Sequence, residues 1–336
     1  MNMSTKTIYL APFQGITDAA YRNGFRIYFG GIDKFYCPYI SGITGNRVSR
    51  SKVRDLQPEK NNLADTVPQI LSKEAEEILI VAEQITNWGY TELNWNLGCP
   101  FPRVAKKSRG SGLLPYPEKI RDILDKVMPE IKIHFSVKLR SGYQSHEEIF
   151  RVLEILNNYP IHEIILHPRT GSQLYRGSAK PEIFNEVKNL TKHRIIYNGD
   201  IYSHEDYLKV RQICDPAGWM IGRGALRYPF LPSMLKGQDW EESSMRKSLE
   251  GFHEYITQDA MTRLQGRVQI LDRMKPIWAY MCNVFQDPLK AYRRIRKTHT
   301  IEEYTSASGE IFSHYPIKLK SEPFSEKNPV MDGNYE

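Results

Sequence analysis

The clearest pattern in the chain is a series of short apolar runs rich in β-branched and aromatic residues. Eight such runs occur, at residues 8–13, 34–40, 66–71, 92–97, 133–139, 163–167, 194–198 and 218–221. Amphipathic helical patterns separate most of them, at residues 18–29, 73–88, 117–127, 146–157, 181–190 and 204–214. Alternating strands and helices predict parallel strands joined by right-handed crossovers. Eight such units within about 230 residues predict an α/β fold, a (β/α)8 TIM barrel. An open doubly wound sheet is the alternative, but no GxGxxG follows the first strand.

The pattern changes near residue 240, where helical periodicity continues without strands. Helices are predicted at residues 241–258, 262–283 and 288–298. We therefore predict a barrel domain at residues 1–238, a smaller all-helical domain at 239–314 and a loosely ordered tail at 315–336. The irregular segment 41–62, rich in Gly, Arg, Lys and Asn, is predicted to be a long loop over the active face, with a helix possible within it.

Charge and cysteine content narrow the class of protein. The net charge of +7 and the pI of about 9.0 favour an anionic partner. The four cysteines form no CxxC pair, which argues against a disulfide framework and a zinc site. No apolar stretch approaches eighteen residues and the N-terminus lacks a signal-peptide core, so we expect a cytoplasmic protein without a membrane partner. Cations cluster after Cys99 and again at residues 290–297, where a solvated helix face is the alternative interpretation.

Polar or special residues end nearly every predicted strand. They are Pro12, Phe13, Gln14, Gln69, Asn96, Cys99, Lys138, Arg140, His167, Arg169, Asn198, Gly199, Asp200, Gly222 and Arg223. In a barrel these positions converge on one mouth. The two turns 198–200 and 222–224, at the seventh and eighth strand ends, suit a phosphate, although either turn alone is more often an ordinary tight turn. Asp200 suits a helix or turn cap better than a catalytic role.

Two of these side chains indicate chemistry. Lys138 alternates with Ser136 and Arg140 on one face of its strand, so it points into the barrel and needs an anionic partner. A reduced flavin ring or a structural ion pair would supply one. Cys99 lies in a cationic loop between Gly98 and Pro100, where a mostly protonated thiol can donate a proton. Inert packing is the default for the other three cysteines.

The strand-end motifs together resemble those of the dihydrouridine synthases, flavin enzymes that reduce uridine in tRNA. The matching segments are LAPFQGITDAAYR, PQIL, NWNLGCPFPRVAKKSRGSGLL, SVKLRSGY, LHPRTGSQLYRG, YNGDIYS and MIGRGAL. The NxGCP core with its downstream GSxLL is the most specific of them. The chain departs from the family pattern at Phe13, Ala105 and Pro168.

The resemblance implies a role for each matching position. Pro12, Phe13, Gln14 and Gln69 would contact the ring of FMN, Lys138 and His167 its ring and ribityl chain, and Asn198, Gly199, Asp200, Gly222 and Arg223 its phosphate end. Cys99 would be the proton donor. The substrate side would include Asn96, Arg103, Arg140, Arg169, Tyr175, Arg176 and, in the helical domain, Lys275. The stretch 273–278 is expected to meet RNA.

The implied reaction joins FMN, NADPH and tRNA. NADPH would reduce FMN, a uridine of the D-loop region would be extruded into the barrel mouth, hydride would pass to uracil C6 and Cys99 would protonate C5. The RNA backbone would cross the basic segments 103–109 and 290–297. We expect a monomer. Two rivals remain: an FMN barrel that acts on a small pyrimidine, like dihydroorotate dehydrogenase, and a non-catalytic RNA-binding protein that has lost its flavin.

Overall fold

Parallel β-strands form a nearly closed barrel with helices around it. The computed structural model describes residues 7–43, 45 and 48–323. Within them the strands are β1 Ile8–Leu10, β2 Lys34–Tyr36, β3 Thr66–Val67, β4 Gln69–Ile70, β5 Glu92–Leu97, β6 His134–Gly142, β7 Glu163–Thr170, β8 Arg194–Asn198 and β9 Gly218–Ile221. Their order in the sheet is β3-β2-β1-β9-β8-β7-β6-β5-β4, and every pair is parallel.

The third predicted strand is divided at Pro68. Proline has no N–H to give to a strand ladder, so β3 ends before it and β4 begins after it. The two short strands stand at opposite ends of the sheet order but are separated by one residue along the chain. Together they fill one strand position, so the predicted (β/α)8 barrel is confirmed with its third strand broken in two.

Helices follow the strands on the outside of the barrel. They are α1 Ala19–Tyr28, α2 Arg50–Val53, α3 Ala75–Asn87, α4 Pro102–Ala105, α5 Pro117–Val127, α6 Glu148–Leu156, α7 Pro181–Asn189, α8 His204–Ile213, α9 Arg223–Arg227 and α10 Leu231–Leu235. Side chains cap the N-termini of α1 and α8. Asp18 accepts a hydrogen bond from the Tyr21 N–H, and Ser203 accepts one from the Asp206 N–H. No helix in the described part of the chain combines the length and the apolar character that crossing a membrane requires.

The segment 41–62 is more structured than a loop. It contains α2 and two short 3-10 turns, at Arg54–Leu56 and Pro58–Lys60. The buried guanidinium of Arg22 donates to Asp55 at 2.9 Å and to Asn61 at 2.6 Å. Arg22 belongs to α1, so this contact anchors the segment 41–62 to that helix. No local sequence pattern reveals it. Thr44, Asn46 and Arg47 lie outside the described residues.

The C-terminal region is helical, as predicted. It contains α11 Glu242–Arg263, α12 Arg267–Met281, α13 Pro288–Arg296 and α14 Ile301–His314. Trp278 is completely buried at its centre, where its indole N–H donates to Tyr304. The sequence patterns missed α14, which Thr300 caps by accepting from the Glu303 N–H.

The residues after α14 pack in part against this region. Tyr315 and Ile317 are buried, and Ile317 forms an antiparallel bridge with Phe285. The predicted loose tail is therefore wrong for these first residues, because their apolar side chains find a core to join. The rest of that tail from residue 324 lies outside the described residues.

Candidate active site

A polar cavity opens at the carboxyl ends of β1 and β6 to β9. Nine of the residues predicted to bind a cofactor line it: Pro12, Phe13, Lys138, His167, Asn198, Gly199, Asp200, Gly222 and Arg223. Arg169 and Tyr175, predicted on the substrate side, line the same cavity. The barrel thus brings together residues that are far apart in sequence.

Asp200 organises the cationic wall of this cavity. Its carboxylate accepts two hydrogen bonds from Arg169, at 2.8 and 2.6 Å, and pairs with Arg223 at 3.3 Å. The Ala179 N–H also donates to it, at 2.7 Å. Asp200 has a φ of +30°, a conformation that few residues other than glycine adopt. Its carboxylate therefore holds two arginines in place. This role goes beyond the helix or turn cap that we predicted for Asp200.

Two guanidinium groups lie close to the ring of Tyr175. Arg223 is 4.6 Å and Arg140 is 5.3 Å from the ring centroid. Arg140 is itself buried and donates to the carbonyls of Thr170 and Leu174, at 2.7 and 2.6 Å. Cation–π contact and these hydrogen bonds hold the loop that carries Tyr175 against the cavity.

Lys138 has no hydrogen-bond or ion-pair partner among the described residues. Burial, and then the charge of Arg140, lower the pKa of its ammonium group to about 7. The structural ion pair considered as an alternative is therefore absent within 7–43, 45 and 48–323. Burial and the surrounding cations likewise lower the pKa of His167 well below its ordinary value, so that ring is neutral. Among the residues that line the cavity, the single carboxylate of Asp200 stands against the cationic side chains of Lys138, Arg169 and Arg223.

Two glycines, Gly199 and Gly222, line the cavity at the ends of β8 and β9. A Cβ on Gly199 would lie 2.8 Å from the side chain of Ala179, and one on Gly222 would lie 3.1 Å from the ring of Phe13. A side chain at either position would crowd the wall. Glycine at these positions lets the backbone pack closely against Ala179 and Phe13.

The Cys99 loop lies at the end of β5. Hydrogen bonds to the backbone of Cys99 hold it in place. Asn96 Oδ1 accepts from the N–H groups of Gly98 and Cys99, at 3.0 and 2.9 Å. The N–H and hydroxyl of Ser111 both donate to the Cys99 carbonyl, each at 3.0 Å. The loop is therefore fixed on both sides of the thiol.

Burial raises the pKa of the Cys99 thiol above its ordinary value. A backbone hydrogen bond from Phe101, the hydroxyl of Tyr39 and the charges of Arg140 and Arg103 oppose this without cancelling it. The thiol is protonated at neutral pH, as a proton donor must be, and is a poor candidate for a nucleophile. Arg140 also lowers the pKa of Lys138, so its charge acts on both groups.

The remaining predicted residues do not line the cavity. Gln14 is exposed in a neighbouring cleft with Tyr39 and Lys52, and Gln69 is completely buried beneath the Cys99 loop. Arg103 and Arg176 are exposed at the surface. Their roles stay predictions.

The helical region differs from the expected RNA contact. Lys275 donates to the carbonyls of Arg296 and Thr298, at 3.3 and 2.6 Å, and so closes the end of α13. Its contact with substrate stays a prediction. Trp278, at the end of the stretch 273–278, is buried in the core of that region, and RNA contact by the stretch stays a prediction.

Sequence reasoning missed several residues of the site. Tyr202 lines the cavity, Tyr39 lies beside the Cys99 thiol and Ser111 holds the loop. The small residues of the GSG turn that follows Cys99 were the available signal for Ser111. No local signal marked Tyr39 or Tyr202, since a tyrosine near a strand end is common in any core.

A family model described as dihydrouridine synthase (Dus) matches residues 9–312 of this chain. Among similar proteins, tRNA-dihydrouridine synthase B of Pasteurella multocida is 28% identical over 233 residues, 67% of either chain. The tRNA-dihydrouridine(16) synthase of Neisseria meningitidis serogroup B is 27% identical over 296 residues, which cover 83% of this chain and 88% of that protein.

Solved structures share the fold at low sequence identity. Histamine dehydrogenase from Rhizobium sp. 4-9 has a TM-score of 0.51 and 10% identity, covering 74% of this chain and 48% of that one. A 2-naphthoyl-CoA reductase has a TM-score of 0.50 and 11% identity, covering 68% and 49%. This chain aligns with about half the length of either structure. The shared fold agrees with a TIM-type barrel. The family match, together with the strand-end motifs now seen around one mouth, shows that this chain belongs to the dihydrouridine synthase family.

Proposed function

We propose that this chain is an FMN-dependent tRNA-dihydrouridine synthase that reduces the C5–C6 double bond of a D-loop uridine, with NADPH as reductant. The observation that carries the proposal is that a protonated Cys99 thiol and a Lys138 ammonium group without a partner lie at the same barrel mouth. The names of the related proteins from Pasteurella and Neisseria support tRNA as the substrate. We further propose that it acts as a monomer in the cytoplasm.

The charge of the cavity lining supports an anionic flavin nucleotide as its ligand. Three cationic side chains line it, Lys138, Arg169 and Arg223, against the single carboxylate of Asp200. The phosphate would bind at Arg223 and at the backbone of Gly199 and Gly222, all of which line the cavity. Pro12, Phe13, Lys138 and His167 would contact the ring and its ribityl chain. An anion beside Lys138 would restore the ordinary pKa that burial has lowered.

When bound, reduced FMN supplies hydride to C6 of the uracil. The chain itself supplies the proton and its placement. Cys99 gives its proton to C5, and its raised pKa keeps that proton in place at neutral pH. Asn96 and Ser111 hold the Cys99 backbone so that the thiol does not move away from the mouth. The charge of Arg140 favours the thiolate that remains after transfer.

In this proposal, exposed cationic side chains on the substrate side provide the affinity of the protein for tRNA. Arg103, Lys106 and Lys107 are exposed beside the Cys99 loop. In the helical region, Arg293, Arg296 and Lys297 are exposed on or next to α13. Contacts from such side chains to phosphate oxygens are salt-dependent and mostly independent of sequence. Arg140 lies deeper, near both Cys99 and Lys138, and suits the uracil.

Replacing Cys99 by Ala tests the proposal. The variant is expected to bind FMN and to be reduced by NADPH, whereas dihydrouridine formation in tRNA falls by at least about 100-fold, the usual worth of a general acid. Cys214→Ala, which removes another buried thiol, is the matched control. Normal tRNA reduction by Cys99→Ala would refute the acid assignment. Reduction of free uridine at the rate seen with tRNA would instead favour a small-molecule enzyme.

A further inference from the structure

A continuous chain of buried hydrogen bonds runs through the barrel from the Cys99 loop to Glu92. Asn96 Nδ2 donates to Gln69 Oε1 at 2.7 Å, and Gln69 Nε2 donates to Asn94 Oδ1 at 2.8 Å. Asn94 Nδ2 donates to Ser136 Oγ at 2.9 Å, and the Ser136 hydroxyl donates to Glu92 Oε1 at 2.5 Å. We call these five residues the relay. Gln69, Asn94 and Ser136 have no solvent exposure, so water does not compete for their bonds.

The direction of the relay is fixed at both of its ends. At one end, the Glu92 carboxylate pairs with Lys34 at 2.7 Å and can only accept hydrogen bonds. At the other end, the N–H groups of Gly98 and Cys99 can only donate, and both point to Asn96 Oδ1. Each amide between has one donating and one accepting end. The two ends demand the same orientation of every amide, so no member can turn over alone.

A broken relay would release the Cys99 loop. Without the Ser136 hydroxyl, Asn94 Nδ2 has no acceptor, and a buried donor without a partner is costly. If Asn94 turns over, its donor faces the donor of Gln69, which must turn as well. The same conflict then passes to Asn96, whose carbonyl would leave the Gly98 and Cys99 N–H groups. A change at the far end of the barrel thus reaches the thiol through single hydrogen bonds.

We propose that Glu92 and Ser136 are positioning residues for Cys99. Through Asn94 and Gln69 they set the orientation of the Asn96 amide, and Asn96 holds the loop that carries the thiol. The consequence for catalysis rests on the proposed function, in which Cys99 donates a proton to the substrate. The consequence for the loop does not depend on it.

Ser136→Ala is the main test variant, with Tyr9→Phe as its matched control. The Tyr9 hydroxyl is also buried in the barrel and donates to Glu163 at 3.0 Å, but it is not a member of the relay. Both variants lose one buried hydroxyl. Glu92→Gln is a second variant that keeps the size of the side chain but removes its acceptor-only character, should Ser136→Ala fold poorly.

The first measurement is amide hydrogen exchange followed by mass spectrometry on the peptide that contains Gly98 and Cys99. Ser136→Ala and Glu92→Gln are expected to speed exchange there by about three- to tenfold, the worth of one ordinary hydrogen bond. Tyr9→Phe should leave it unchanged. This measurement needs neither cofactor nor substrate, and equal exchange in wild type and both relay variants would overturn the proposal.

The second measurement separates the two half-reactions by stopped-flow absorbance of the flavin. In the relay variants, tRNA is expected to oxidise the reduced flavin more slowly, while the KM for tRNA is unchanged. Reduction of the flavin by NADPH is expected to match that of wild type. A pure loss of stability would slow neither half-reaction in the folded enzyme. A wild-type protein inactive toward tRNA would refute the proposed function, and the exchange result would still decide whether the relay positions the loop.

Discussion

The buried guanidinium of Arg169 makes a two-point ion pair with the carboxylate of Asp200. Its nitrogens lie 2.8 and 2.6 Å from the two oxygens, and the Arg169 side chain is 0% exposed. The same carboxylate also pairs with Arg223, so one acid orients two of the cations that face the cavity. A second carboxylate or a bound phosphate is the kind of group that such a fixed pair of guanidinium groups recognises.

Asp200→Asn is expected to lower the free energy of unfolding by about 3 kcal/mol, because it leaves the buried Arg169 charge without a counter-ion. Urea denaturation of the protein without flavin measures this change. Glu205→Gln, which removes an exposed partner of Lys209, should have no measurable effect. A similarly small loss in both variants would show that solvent reaches Arg169 easily.

Lys138 is expected to make stability depend on pH between about 7 and 9. Its pKa is about 7 in the fold and 10.5 when unperturbed, so over this range the unfolded chain binds a proton that the folded chain has lost. Stability should therefore rise with pH, by at most about 1.4 kcal/mol per unit. Below pH 7 both states are protonated and the penalty of burying the charge is fully present.

The measurement is urea denaturation from pH 6 to 9 for wild type and Lys138→Met without flavin. The charge of Lys138 also lowers the pKa of His167, so the comparison uses the range above about pH 7.5, where an ordinary histidine is neutral and the difference isolates Lys138. The advantage of the methionine variant should shrink as the pH rises. Parallel curves would mean that Lys138 keeps an ordinary pKa.

Replacing Lys106 and Lys107 by Ala is expected to weaken tRNA binding in a salt-dependent way. Both side chains are exposed beside the Cys99 loop. Removing two phosphate contacts should reduce the slope of log affinity against log salt concentration by about one to two. Fluorescence anisotropy of labelled tRNA over a NaCl series gives that slope.

Lys132 and Lys192 provide the control for this prediction. Both are exposed but precede β6 and β8, at the end of the barrel opposite the mouth. Their double alanine variant has the same net charge as the test variant. If both double variants weakened binding equally, the effect would come from net charge rather than from the loop.

Arg273→Ala is expected to loosen the helical region from the barrel mouth. Arg273 donates to the carbonyls of Gly15 and Ile16, both at 3.0 Å, and to Asp18 at 2.7 Å. Losing these charge-assisted bonds should cost about 2 kcal/mol of stability. It should also slow flavin oxidation by tRNA more than reduction by NADPH, since tRNA contacts both regions in the proposed function.

Arg294→Ala is the comparison, because Arg294 forms an exposed ion pair with Glu310 within the helical region. Thermal unfolding and the two flavin half-reactions are measured on both variants. We expect Arg294→Ala to match wild type in thermal unfolding and in reduction by NADPH, whereas its oxidation by tRNA reports contact of the basic segment 290–297 with RNA. An equal loss of tRNA reactivity in the two variants would point to RNA contact rather than to the junction with the barrel.

The strand-end residues show how far the sequence alone could go. Lys138 and Ser136 were placed inside the barrel from strand alternation alone, and both are interior. Gln14 and Gln69 come from equally clear strand ends, yet neither lines the cavity. A strand end predicts the face of the barrel on which a residue lies. It does not predict the depth or the direction of the side chain, because these depend on neighbours from other strands.

The alternation of apolar runs and helical patterns, with the NxGCP loop and the two glycine turns, determined the barrel, the side of it that carries chemistry and the resemblance to a family. These are local properties, set by periodicity and by the residue types that turns require. Only the tertiary structure decided that Asp200 serves two arginines, that Lys138 has no partner and that a directed hydrogen-bond relay supports Cys99. Such facts depend on contacts between residues up to 58 positions apart, which no local pattern records.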